Sequence, residues 1–169
     1  MVNKQTLTTV SRLKESTPMN DELFNQIKED LIRHEGYVTE IYLDSENLET
    51  FGIGHLVTEE DMEFTWPIGT PITDDRILDV FHIDCGEAVK DANCVTNDLY
   101  SHPDDVVRVL VNMAFNLGRT RLSKFKKMLG HVEEQNYLMA ANEMINSKWY
   151  RQVKTRGTEL VNIMKDAKV

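Results

Sequence analysis

Apolar residues recur at helical spacing at Leu23, Phe24, Ile27 and Leu31, between Asn20 and Gly36. That stripe predicts an amphipathic helix. Asn20 suits its N-cap, Asp21 and Glu22 its first turn, and Gly36 the position just past its end. The period then changes. Val38, Ile41, Tyr42, Phe51, Ile53 and Val57 predict strands, with residues 45–49 as the turn. Gly52 and Gly54 imply a close backbone approach or an irregular strand. Residues 65–73, rich in Pro and Gly, predict a loop, and Thr73 caps a helix of roughly twenty residues. After a break at Asp98–Pro103, residues 104–117 are apolar nearly all round. Their polar members Asp104, Arg108, Asn112 and Asn116 form one stripe, which suits a central buried helix lining a cleft or facing a loop. Gly118 ends it. Shorter helices are expected at about 120–129, 132–146 and 156–166, with Trp149 and Tyr150 between two of them as packing residues. Residues 1–19 show no period and are expected to form an arm.

The chain has 169 residues, 41% hydrophobic and 28% charged, which suits one domain or two small lobes with a real core. No apolar run is long enough to cross a membrane, and no apolar secretory core is visible near the start. A protein made without a signal, or one that has already lost it, is expected. Cys85 and Cys94 are too few for a disulfide framework. Nine residues apart on one helix, they lie about 13 Å apart along its axis, so two free and mostly buried thiols are expected.

Charge is unevenly spread along the chain. Residues 1–84 carry 6 Lys and Arg against 18 Asp and Glu, whereas residues 85–169 carry 13 against 10. The acidic balance argues against nucleic acid as a partner. The basic cluster Arg119, Arg121, Lys124, Lys126 and Lys127 suits an anion-binding patch or a solvated helix face equally well.

The candidate chemistry sits between His34 and His55. Glu35 ends the first helix on its apolar side, where loss of water favours the neutral acid. Asp44 follows at the hairpin, then Thr50. Two carboxyl groups on different elements meet the needs of glycosidic bond cleavage: one donates a proton and the other stays ionised. The segment from Asp44 to Glu49 lacks the central glycine of a calcium loop, so that reading is rejected.

Glu35, Asp44 and Thr50 followed by Phe51-Gly52-Ile53-Gly54-His55 resemble the active-site signature of phage-type lysozymes. Phe81-His82-Ile83-Asp84, Asn112 to Gly118, and Ser147-Lys148-Trp149-Tyr150 followed by Arg156 resemble further blocks of that family in the same order. The resemblance covers about residues 22–165 and implies an α+β, mainly helical, two-lobe fold. The expected division is an arm at 1–20, a small α/β lobe at 21–72, an inter-lobe helix at 73–97 and a helical lobe at 98–169. It implies a muramidase that hydrolyses the β-1,4 bond between N-acetylmuramic acid and N-acetylglucosamine in peptidoglycan. A monomer with no metal, cofactor, nucleic acid or membrane insertion is expected, acting in endolysin-like lysis after waiting in the host cytoplasm. A glycan-binding relative without activity and a glycosidase acting on chitin are the alternatives.

By the same resemblance Glu35 is the general acid, with Arg156 close by. Asp44 is the ionised partner and Thr50 the holder of a water. His55 and Asp84 form a structural ion pair. Leu56 and Phe115 are expected as cleft walls, and Asn116 lines the cleft through the polar stripe. The best-known member of the family is strongly basic, whereas this chain has a net charge of −9 and lacks general attraction to an anionic wall.

Overall fold

A computed structural model describes residues 19–168. All but the last two residues of the expected 1–20 arm lie outside that range. The chain folds into a mainly helical α+β, lysozyme-like architecture with one small antiparallel sheet. Helix α1 spans Asp21–Glu35, and the Asn20 side chain accepts a hydrogen bond from the Leu23 N–H at its start. Strands β1 (Val38–Leu43), β2 (Glu49–Gly52) and β3 (His55–Leu56) follow as a meander in the order β1-β2-β3.

Helix α2 runs Asp74–Cys94 and is capped by Thr73, as its sequence predicts. Helix α3 spans Asp104–Leu122. Its φ/ψ leave the helical region at Gly118, at 69° and 165°, so Gly118 ends the straight segment and one further turn follows. Val106, Val109, Leu110, Val111 and Met113 on α3 are fully buried, which makes it the centre of the core. Four shorter helices complete the chain: α4 (Lys126–Glu133), α5 (Tyr137–Ile145), α6 (Lys148–Val153) and α7 (Thr155–Asp166).

The helix expected at 120–129 is divided, because Gly118 bends the chain and the segment straightens again only at Lys126. Trp149 and Tyr150 lie on α6, not between helices. Six residues are too few to show a period, but Ser147 caps this helix through the Tyr150 N–H. Trp149 is buried as expected, edge-on to Phe125 at 6.1 Å. Both cysteines are free. Burial pushes the Cys85 thiol up to about 12. Cys94 is exposed, contrary to the expectation of burial, because α2 ends there and turns it toward solvent.

Candidate active site

The hairpin positions Asp44 and Thr50 through one peptide unit. Asp44 follows the last residue of β1, and its Oδ1 accepts hydrogen bonds from the N–H groups of Glu46, at 2.8 Å, and Leu48, at 2.9 Å. This turn, closed by a side chain on its own backbone, is typical of Asp. The Leu48 carbonyl in turn accepts from the Asp44 N–H at 3.0 Å and from the Thr50 hydroxyl at 3.1 Å. Thr50 is buried, and its proton is committed to Leu48, so its free lone pairs are what it offers a neighbour.

Tyr42 ties this hairpin to Glu35. It pairs across the strands with Thr50, so their side chains share a face. Burial, and then the Asp44 and Glu35 carboxylates, push the Tyr42 phenol above its ordinary value. Both acids therefore lie within electrostatic reach of one ring. The structure thus joins Asp44, at the end of β1, to Thr50, on β2, through the Leu48 carbonyl, and places Glu35 at the end of α1.

Glu35 is not buried as deeply as its helical phase suggests, its side chain remaining 22% exposed. Its Oε1 accepts from Arg156 Nη1 at 2.6 Å. Arg156, 8% exposed, also donates through Nε to Asn112 Oδ1 at 2.9 Å and through Nη2 to the Asn112 carbonyl at 3.4 Å. The Asn112 amide donates to His34 Nδ1 at 3.1 Å, and His34 Nε2 donates to Glu159 at 2.8 Å. A closed polar seam thus runs from α7 through α3 and α1 back to α7. The polar stripe of α3 is part of it: Arg108 grips Asp30 on α1 with Nε and Nη2 at 3.0 and 3.1 Å. Asn116 accepts from Trp149 Nε1 at 2.9 Å.

Gly54 closes over Glu35 from the hairpin side. Its φ is 67°, and a Cβ placed there would lie 3.2 Å from Glu35 Oε2 and 3.3 Å from the Glu35 Cβ. Gly54→Ala is therefore expected to cost about 1–2 kcal/mol in backbone strain and to displace the Glu35 carboxyl as well. A thermal melt and a turnover assay check this together. A variant that turns over at the parent rate would show that the contact does not position Glu35.

His55 follows at once on β3. Its Nδ1 lies 2.7 Å from Asp84 Oδ2, as the resemblance implies. Its Nε2 lies 3.2 Å from Asp61 Oδ1, close enough for charge attraction but without an aligned hydrogen bond. Asp61 was not singled out by the sequence, for it sits in a loop with no period. Arg76 holds that loop through Glu63, fully buried, with two bonds of 2.8 Å, and reaches Asp61 at 3.3 Å.

Burial disfavours a charged His55 ring, but Asp84 and Asp61 outweigh it and raise the pKa above its ordinary 6.5. The Asp61 carboxyl falls below its ordinary 3.8: burial opposes the anion, and bonds from Thr58 and the His55 charge prevail. The His55 contribution to stability is full below the unfolded value of 6.5 and fades as pH rises through the folded one. The Asp61 contribution is full above 3.8 and fades as pH falls. His55→Asn is accordingly expected to lower the melting temperature most near pH 5, and progressively less toward pH 9, with turnover little changed. A variant that melts like the parent at pH 5 but is inactive would contradict this structural role.

A groove of about 590 Å³ runs past the pair. Leu56 and Phe115 line it, as does Gly54, and Asp61, Asp84 and Glu87 give it an acidic side. Asn116 lies outside its lining and faces Trp149 instead.

A mainly helical fold with a small sheet, and a carboxyl group at the end of the first helix packed under a glycine that lines an open groove, are the make-up of a lysozyme-like glycan hydrolase. The chain belongs to the phage lysozyme family, whose model matches residues 32–165. It is 28% identical over 161 residues to "Probable T4-type lysozyme 1" of Dictyostelium discoideum, covering 84% of this chain and 95% of that protein. "Probable T4-type lysozyme 2" of the same organism is 28% identical over 160 residues, 83% and 94% of the two chains. "Peptidoglycan hydrolase gp36" of Pseudomonas phage phiKMV is 25% identical over 146 residues, which are 86% of this chain and 16% of that one. Among the described residues no helix is long and apolar enough to cross a membrane.

Proposed function

We propose that this chain is a muramidase, cleaving the β-1,4 bond between N-acetylmuramic acid and N-acetylglucosamine in bacterial peptidoglycan and so lysing the cell. The observation that carries the reading is the Glu35 carboxyl, held by Arg156 at 2.6 Å and packed under Gly54, which itself lines the open groove. In this reading residues 21–72 form the small lobe, residues 98–169 the helical lobe and residues 73–97 the helix that joins them.

Glu35 donates its proton to the glycosidic oxygen, and Arg156 then balances the carboxylate left behind. Asp44 faces the positive charge that develops on the sugar ring, one oxygen fixed by the turn and the other free for the substrate. The Thr50 oxygen accepts a hydrogen bond from the attacking water, whose other proton passes to the Asp44 carboxylate as the new bond forms. Leu56 and Phe115 supply apolar contact to the sugar faces. A monomer, held in the cytoplasm of the producing cell until lysis, fits the reading.

Peptidoglycan and chitin oligomers offered side by side test the substrate. Soluble fragments from peptidoglycan, with chitin oligomers cut at least tenfold more slowly, are the expected result. Faster cleavage of chitin would replace the muramidase reading with a chitinolytic one, and binding without product would replace it with a glycan-binding protein.

A further inference from the structure

A second groove, of about 790 Å³, lies on the other side of the end of α3. Phe115 and Gly118 line the first groove, whereas Leu117 and Arg121 line this one. Five cations surround it: Arg121, Lys124, Lys126, Lys127 and Lys148, with Glu143 as the one carboxylate in its lining. All five are exposed, and among the described residues their charges enter no ion pair; the arginines that do pair are Arg33, Arg76, Arg108 and Arg156. Phe125, Met128 and Trp149 give the groove an apolar floor. A solvated helix face does not account for this arrangement, because the cations come from the end of α3, the bend after it, α4 and α6 and converge on one concavity.

Like charges gathered around a low-dielectric floor repel one another and focus a positive field into the groove. They do so in a chain whose net charge is −9. The wall's peptide chains place amines beside their carboxylates, and this ring of cations repels the amines. A chain of phosphodiesters carries one negative charge at every repeat and no amine to place beside five cations.

We infer that this groove binds a flexible phosphodiester-linked polyol chain attached to the bacterial wall, which anchors the protein while the first groove works on the glycan. The inference rests on the muramidase reading for the identity of the surface, and the groove's charge stands apart from it. Anchoring here also supplies the attraction to the wall that the acidic composition otherwise withholds.

The test uses the full chain and poly(glycerol phosphate) as the probe, with Lys124→Glu/Lys127→Glu as the variant. Both positions are exposed and outside the Glu35 site, so the variant is expected to melt like the parent and to digest wall stripped of phosphate polymer at the parent rate. The parent is expected to bind the probe at least tenfold more tightly than the variant, with affinity falling as salt rises. It is also expected to digest polymer-bearing wall faster than stripped wall, an advantage the variant lacks. Equal binding by parent and variant would overturn the inference. So would equal affinity of the parent for polyglutamate, or for single-stranded DNA, since either would make the groove a general polyanion site. Failure of the parent on stripped wall, with probe binding intact, would instead sink the muramidase reading and leave the groove standing.

Discussion

Glu35→Gln is expected to slow peptidoglycan solubilisation by about 10²- to 10⁴-fold, the usual range for loss of a positioned general acid. The fold should survive the change. The glutamine carbonyl remains able to accept from Arg156 Nη1, and Arg156 keeps its two bonds to Asn112. What is lost is the proton that the leaving oxygen needs. A turnover assay on purified peptidoglycan, with a thermal melt as control, checks both halves. A well-folded variant with near-parent turnover would move the acid to another residue.

Arg156→Met should have the largest effect on stability. Methionine fills much of the same space but makes none of the three hydrogen bonds. Asn112, fully buried, then loses the donor to its side-chain oxygen, and Glu35 loses its counter-charge. Removing one partner from such a network costs about 3 kcal/mol, with Glu35 kept from a higher cost by its remaining exposure. Chemical denaturation reads this directly. Arg156→Lys restores the charge but not the planar fork, so it should recover less than half of the loss. A methionine variant with the parent's midpoint would show that the seam does not hold α7 against α1 and α3.

These two positions differ in how far the sequence reveals them. Glu35 is visible from helical phase and from its place before Gly36. Asp44 and Thr50 are visible from the strand pattern around a polar turn. Their environment is less so. The partners of Asn112 lie 44 and 78 residues away along the chain, and no local period reports such pairings. Arg156 enters the account through resemblance to a family motif, and the resemblance does not contain its bonds to Asn112. Tyr42 had a usable signal, since it stands two residues before Asp44 on a strand where alternate residues share a face. Asp61 had none: its position depends on Arg76, which clamps an irregular loop through a buried Glu63.

Element boundaries follow the same logic. The caps at Asn20 and Thr73 are local side-chain bonds, so α1 and α2 begin where the sequence places them. Helix α6 is too short for periodicity and depends on the Ser147 cap and the burial of Trp149. The basic residues after Gly118 were legible as a cluster. That they surround a groove, joined by Lys148 from α6, required the bend at Gly118 and the packing of the last helices.

The most direct measurement is mass spectrometry of the products that the parent chain releases from purified peptidoglycan. Muropeptides ending in reducing N-acetylmuramic acid are expected. Fragments ending in reducing N-acetylglucosamine, or free stem peptides with intact glycan strands, would contradict the muramidase reading.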